Sequence, residues 1–407
     1  MEVIHSRCAG LDVHKQTVVA CVRIAGDGRP TQEVRSFATT TSGLLALADW
    51  LDSFSVEHVA MEATGAYWKP VWHVLDGHFQ LLLANAAHVK NVPGRKTDIN
   101  DAMWLADLLA HGLIRASFVP PTPVQDLRAL VRTRKQFVRE RSAHIQRIEK
   151  LLEDANLKLS VVLSDIVGTS GRAVLQAIVD GHHDPEYLAS LVSARVKATR
   201  GEILESLRGY IRPHHRFMLK LHLDHINTVD AAIAAIEQEV GNGLDSFRQA
   251  AKLLSTIPGL SHVSAHTVVA EIGIDMSRFP TPAHLRSWSC LCPRNDESAG
   301  KRRSTRLRPG ANWLKTTLVQ AAWAAIKVKR SYLHALFRRL SPRRGAKKAI
   351  VAVAASMLTA IWHMLRDGTA WNDLGANYFD RSDTKKTATR LIRRLQQIGY
   401  TVTATPA

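Results

Sequence analysis

The sequence predicts an α/β domain at the N-terminus, a long helical region after it, and a mainly helical C-terminal domain. Three observations carry this. Up to about residue 115, β-rich runs alternate with helical patterns. From Val124 to Leu157, and again from Leu219 to Val240, the pattern is long, helical and charged. Beyond Phe247, helical patterns recur to Arg366. At 407 residues, two or three domains of roughly 100–200 residues each are expected.

In chain order, Cys8–His14 and Thr17–Ile24 read as strands, Gly26-Asp27-Gly28 as a turn, and Glu33–Ala38 as a third strand. A helix over Ser42–Ser53 precedes a strand over Glu57–Glu62. A helix over Ala66–Leu75 precedes an apolar strand over Phe79–Ala84. The loop Val92-Pro-Gly-Arg-Lys-Thr leads into a helix over Asp98–His111. Three antiparallel strands followed by helix–strand repeats imply a mixed sheet covered by helices. The two long charged helices suit a paired arm or coiled coil, with a helical insert between them that carries His182-His183 and His214-His215. No repeat or low-complexity segment appears.

Composition excludes several classes. With 46% hydrophobic and 22% charged residues, whole-chain disorder is out. The 54 Lys and Arg against 36 Asp and Glu leave a net charge of +18, which points to a polyanionic partner, nucleic acid before an anionic membrane surface. Four cysteines cannot staple the chain. Cys290 and Cys292 form a lone C-x-C without the second pair a zinc site needs, so reduced thiols and no zinc are expected. Met1 runs into a strand pattern without a signal peptide, and Ala349–Leu365 falls short of the roughly 20 apolar residues of a membrane span. It reads as a buried helix in a cytoplasmic protein.

Four carboxylates stand out in the first domain. Asp12 ends the first strand and Glu62 a later one, while Asp98 and Asp101 share one helical face at i and i+3. Taken singly, a helix cap explains Asp98 and solvation explains strand-end acids. Taken together, in a strand order that suits an RNase H-like fold, they could converge on one or two Mg²⁺ ions for phosphodiester chemistry.

In the last domain, Leu254-Ser-Thr-Ile-Pro-Gly-Leu-Ser-His joins two helical patterns. It resembles a helix–hairpin–helix, although many such hairpins carry a second glycine where Ser261 stands, and a plain interhelical turn fits equally. Ser298 lies in Pro293-Arg-Asn-Asp-Glu-Ser-Ala-Gly-Lys-Arg-Arg303, either an ordinary loop residue or a hydroxyl nucleophile awaiting activation. Lys301, Arg302, Arg303, Arg306 and Arg308 follow it and would hold phosphates, as Arg95 and Lys96 would in the first domain. Gly300-Lys301 is not a P-loop, because position 295 is Asn. From Lys301 to Arg366 there is no Asp or Glu, so this stretch reads as a phosphate-tracking surface. Trp313, Trp323 and Trp362 fall at spacings of helix cores.

The segments GLDVHK, MEATGAYWKPVW, NVPGRKTDINDAMWLADLL, IPGL with AEIGIDMSRFP, and LCPRNDESAGKRRS run in one order along nearly the whole chain. This ordered set resembles the insertion-sequence transposases with an N-terminal DEDD, RuvC-like domain and a C-terminal serine domain, also known as bridge-RNA-guided recombinases. The resemblance implies a RuvC-like catalytic domain over 1–118, a helical or coiled-coil region over 119–246, a serine transposase domain over 247–370 and a basic tail over 371–407. It implies that Asp12, Glu62, Asp98 and Asp101 are Mg²⁺ ligands and that Ser298 becomes covalently joined to DNA. The partners it implies are double-stranded element-end and target DNA, a structured guide RNA, and further copies of the chain in a dimer or tetramer with composite active sites. Neither a nucleotide cofactor nor a membrane is expected. The rival expectations are a RuvC-like Holliday-junction resolvase or nuclease that uses metal and water alone, and a non-catalytic nucleic-acid-binding protein.

Overall fold

The computed structural model describes residues 2–26, 29–63, 65–84, 89, 101–243, 247–294, 296–304, 306–310, 312–381 and 384–403. The chain divides into two compact units, Met1–Val119 and Pro120–Ala407.

The first unit is built on a five-stranded sheet: β1 (Arg7–Val13), β2 (Thr17–Ile24), β3 (Thr31–Ala38), β4 (His58–Glu62) and β5 (Gln80–Ala84). Its order is β3-β2-β1-β4-β5. The first three strands form an antiparallel meander, and β4 and β5 join β1 in parallel. Helices α1 (Thr41–Ser53) and α2 (Trp68–Leu75) supply the crossovers, and α1 starts on a Thr40 cap that accepts the Gly43 amide. The strand alternation sorts side chains to two faces. Leu11, Val13, Val18, Ala20, Val59 and Met61 pack with Leu44, Leu47 and Leu51 of α1 and with Val71 and Leu75 of α2. The opposite face is covered by α3 (Asp101–Ala110), through Leu109 against Cys8 and Ala60, and through Ala102 and Ala106 against Cys21. Burial pushes the Cys8 and Cys21 thiols up to about 11 and about 12, so both stay protonated. All four cysteines are free.

The second unit opens with α4 (Thr122–Asp154), followed by four short helices, α5 (Leu159–Val162), α6 (Thr169–Val179), α7 (Pro185–Ser190) and α8 (Arg200–Ser206). Helix α9 (Pro213–Gly243) then returns antiparallel along α4. Arg134 meets Glu237 at 2.9 Å, Arg141 meets Asp230 at 2.6 Å, and His144 meets His222 at 3.1 Å, in descending register. This helix begins six residues before Leu219, where the hydrophobic pattern starts, because Pro213 suits a first helical turn. His214 and His215 therefore sit on the helix rather than in the insert. The short helices enclose a core of their own against α4 and α9, including Ile148, Leu152, Val174, Leu188, Leu219 and Ile226.

The rest of the unit comprises α10 (Arg248–Leu254), α11 (His262–Ile272), a 3₁₀ turn (Met276–Arg278), α12 (Pro282–Trp288), a hairpin of β6 (Asp296–Ser298) and β7 (Lys301–Ser304), α13 (Asn312–Ala325), α14 (Tyr332–Arg344), α15 (Ala346–Asp367), α16 (Tyr378–Arg381) and α17 (Thr384–Gln397). Gly259, at φ +82°, turns the chain between α10 and α11. A methyl there would lie 2.4 Å from the Ala321 carbonyl oxygen, so the glycine lets the turn press on α13. Ser261 caps α11 by accepting the Ser264 amide. Among the described residues, α15 is long and apolar enough to cross a membrane, yet Ile350, Val353, Met357 and Ile361 bury its inner side.

Helix α4 is fastened to this region by a buried carboxylate. Glu271, 5% exposed, receives Nε and Nη2 of Arg132 at 2.8 Å each, and Arg128 donates to the Ala270 and Glu271 carbonyls. Burial brings the Arg128 pKa down to about 10, which leaves it charged at neutral pH. Arg132, Lys135 and Arg139 all lie within 6 Å of the Trp313 ring centroid.

Candidate active site and nucleic-acid interface

On β1 the residues Cys8, Gly10 and Asp12 share the α3 side of the sheet, and on β4 Ala60 and Glu62 do the same. The parallel register Leu11–Met61 makes Asp12 and Glu62 neighbours at the carboxyl ends of their strands. Helix α3 runs back along β1, since the Ala110 carbonyl accepts the Ile4 amide and Cys8 Sγ lies 3.5 Å from the Ala106 carbonyl. Its first residue, Asp101, therefore begins at the Asp12 end. Gly10 makes this approach possible: a methyl there would stand 2.2 Å from the Ala102 oxygen and 2.4 Å from the Ala106 nitrogen.

Asp12, Glu62 and Asp101 are all half-buried, and Asp12 Oδ2 lies 3.1 Å from His14 Nε2. They share one end of one face without all closing to within 4.8 Å of one another. Asp98, Arg95 and Lys96 lie outside the described residues. An all-carboxylate donor set suits a hard, oxygen-seeking divalent cation such as Mg²⁺, which takes one or two carboxylates and leaves positions for substrate oxygens.

Among the described residues, one trio of ligand atoms does lie within 4.8 Å: Asp154, His214 and His215. It is a structural tie. His215, 1% exposed, accepts the Arg212 amide at Nδ1, which leaves Nε2 to donate to Asp154 at 2.7 Å, while the Arg212 guanidinium meets the same oxygen at 2.8 Å. A cation would have to displace both the proton and the guanidinium. The His215 hydrogen bond is the main cause that holds Asp154 below the usual carboxylate range.

Ser298 closes a two-residue hairpin. It pairs with Lys301 across Ala299 and Gly300, whose φ values of +50° and +72° fit the turn that matches strand twist. The left-handed conformation costs Ala299 about 1 kcal/mol. The base is closed by a Pro293–Leu307 bridge and by the Arg294 amide donating to the Arg306 carbonyl at 2.9 Å. Arg302 and Arg303 follow on β7, and the side chains of Ser298, Arg302 and Arg303 lie outside what the structure describes. Lys301 and Arg306 are exposed, and Arg308 is held by Ser287 through the carbonyl at 2.9 Å and the hydroxyl at 2.6 Å.

The cations of the acid-free stretch Lys327, Lys329, Arg330, Arg338, Arg339, Arg343, Arg344, Lys347 and Lys348 are all exposed. Trp362 is a core residue whose Nε1 donates to the Phe279 carbonyl, Trp313 is half-buried beneath the α4 cations, and Trp323 is exposed. Two features were not singled out by sequence reasoning. Gly10 sits inside a quoted motif, but only the packing of α3 reveals its part. Arg294 gains meaning only beside Arg344 and Lys347, about fifty residues away, on the wall of a shared pocket.

A DEDD transposase family model of the IS110 group matches residues 9–157, and a model described as transposase IS116/IS110/IS902 family matches residues 251–338. The transposase for insertion sequence element IS1111A of Coxiella burnetii is 25% identical over 320 residues, covering 77% of this chain and 79% of that protein. The pilin gene-inverting protein of Moraxella lacunata is 23% identical over 370 residues, covering 88% and 95%. The two family models together take in more than half of the sequence, in the order expected from its motifs, and include Asp12, Glu62, Asp101 and Ser298. The chain belongs to the IS116/IS110/IS902 family of transposases, and its enzyme class is that of a DNA transposase or recombinase.

Proposed function

We propose that the chain cuts and rejoins insertion-element ends and target DNA through a carboxylate site and a serine nucleophile. The observation that carries the reading is the joint placement of Asp12, Glu62 and Asp101 at one end of one sheet face. The strand order, an antiparallel meander extended by two parallel strands, supports an RNase H-like, RuvC-like fold. Asp12, Glu62, Asp98 and Asp101 would hold Mg²⁺, which supplies charge stabilisation at the phosphodiester oxygens.

The Ser298 oxygen forms a bond to the attacked phosphorus as the bond from phosphorus to one DNA oxygen breaks. The hydroxyl proton is lost to a base, the leaving oxygen gains a proton, and a phosphoserine and a free DNA hydroxyl remain. That hydroxyl can later attack the phosphoserine and rejoin a strand. Lys301, Arg302, Arg303, Arg306 and Arg308 hold neighbouring phosphates and offset charge developing at phosphorus.

The domain scheme is 1–118 catalytic, 119–246 helical, 247–370 serine domain and 371–407 basic tail. The α4–α9 pair serves as the coiled-coil arm for oligomerisation and for holding a structured guide RNA, and composite active sites form between copies. The α10–α11 turn is the helix–hairpin–helix-like element. The protein acts in the cytoplasm on nucleoid DNA.

A denaturing gel tests the reading. Labelled element-end DNA, the RNA encoded beside the gene and Mg²⁺ are mixed with wild type, Ser298→Ala and Asp12→Ala. A protein–DNA adduct is expected with wild type only, with Ser298→Ala still binding DNA. Cut DNA without an adduct would overturn the serine role in favour of hydrolysis by water.

A further inference from the structure

We infer that the pocket beside the Ser298 hairpin takes one unstacked nucleotide of the DNA strand being cut, with the base inward and its phosphate at the rim. This rests on the reading of the chain as a DNA-cutting enzyme and deepens it.

The pocket encloses about 650 Å³, within the range of sites that take a small organic ligand. Its floor is apolar, formed by Leu291, Leu307, Val351 and Ala352. Around the floor stand five cations, Arg294 and Arg306 from the base of the hairpin and Arg344, Lys347 and Lys348 from the junction of α14 and α15. Among the described residues, no carboxylate lines it.

A surface that only tracks phosphates needs cations and no cavity. An apolar floor ringed by positive charge fits a ligand that is flat and apolar at one end and anionic at the other, which describes a nucleotide turned out of its stack. The position also fits. From Ser298 back to Arg294 is four residues, about 13 Å at 3.3 Å per strand residue, or about four base steps of duplex at 3.4 Å. A strand that presents its phosphate at the hairpin tip passes the pocket wall within that distance. From Lys301 to Arg366 there is no Asp or Glu, so β7 and the α14–α15 side bring no acid to the strand, and the hairpin's own acids, Asp296 and Glu297, belong to β6.

The test uses the full chain, the flanking RNA, and element-end DNA carrying 2-aminopurine, which brightens when unstacked. The label is moved through four positions on each side of the cut phosphate, with DNA saturated as judged by anisotropy. A several-fold rise in fluorescence is expected at one position. It should vanish in Ala352→Trp, which fills the floor, and fall in Arg344→Gln, an exposed site that decides the matter if the first variant does not fold. Ser298→Ala should keep the rise. A covalent adduct with no rise at any position overturns the inference and leaves the serine reading intact. A rise without an adduct upholds the pocket and sinks the serine. A rise that survives both pocket variants also overturns the inference.

Discussion

Gly10→Ala adds one methyl group at the point where α3 crosses β1. The new carbon would sit 2.2 Å from the Ala102 oxygen, 2.4 Å from the Ala106 nitrogen and 2.8 Å from the Leu105 Cβ. Two of these atoms are backbone, so no side chain can rotate away. An ordinary contact begins at 3.4 Å, and the difference from 2.2 Å requires the helix to retreat by about 1.2 Å. Overpacking of this kind costs about 1–3 kcal/mol, and the lost flexibility of the unfolded chain returns about 0.4–1 kcal/mol of it. A net loss of about 1–2 kcal/mol should lower the melting temperature of the N-terminal unit by roughly 4–8 °C. The same retreat carries Asp101 away from Asp12, and a misplacement of about 1 Å can slow chemistry about 100-fold. Scanning calorimetry and Mg²⁺-dependent cutting of element-end DNA read the two effects. Gly241→Ala is the control: it lies in a helix with nothing within 4 Å, and should be neutral or stabilising by about 0.5–1 kcal/mol. Wild-type melting and cutting by Gly10→Ala would refute both the packing of α3 and the placement of the site.

Two further outcomes concern the second unit. Glu271→Gln leaves Arg128 and Arg132 without their counter-charge. Because Arg132 is 38% exposed, the loss should be about 2–3 kcal/mol, below the value for a fully buried pair. A shift under about 0.5 kcal/mol in urea unfolding would show that the pair does not fasten α4. The second outcome is a pH dependence. His144 and His222 lie Nδ1 to Nδ1 at 3.1 Å, with His225 stacked on His144. Burial first, then the neighbouring imidazoles and Arg147, lower the pKa values of His144 and His222 below 6.5. The unfolded chain thus takes up protons at 6.5 while the folded one resists, so stability is complete above that pH and declines as pH falls below it. Asp154, also lowered, adds its loss only in the acidic carboxylate range. Circular dichroism melts at pH 7.5 and 5.5 should differ, and His144→Phe should reduce the difference. Equal melts for the wild type would exclude a stability role for the cluster.

The strands of the first unit were legible because apolar and β-branched runs alternate within short stretches bounded by turn residues. The third began two residues earlier than its hydrophobic signal, at Thr31, because Thr31 and Gln32 pair with Ile24 and Arg23 through backbone alone. The Ser298 segment read as a loop or a functional turn. It forms a hairpin whose evidence in sequence is only Ala299-Gly300, a weaker turn signal than Asn-Gly. The two long helices were visible from their charge and length, whereas the ladder of Arg141 and Arg172 on Asp230 was not. Each of those residues is an ordinary solvated charge until two helices bring it to a partner.

The sequence by itself determined the strong net positive charge, the mixed sheet, the four candidate carboxylates and, through an ordered set of motifs, the transposase family. Those properties depend on residue type and near-neighbour spacing, which a chain displays before it folds. Only the tertiary structure decided that Asp12 and Glu62 point to the α3 side, that Gly10 admits that helix, that Asp154 with His214 and His215 is a tie, and that Arg294 and Arg344 share a pocket. These depend on the register between strands and on how closely elements approach, and both are settled when distant segments pack.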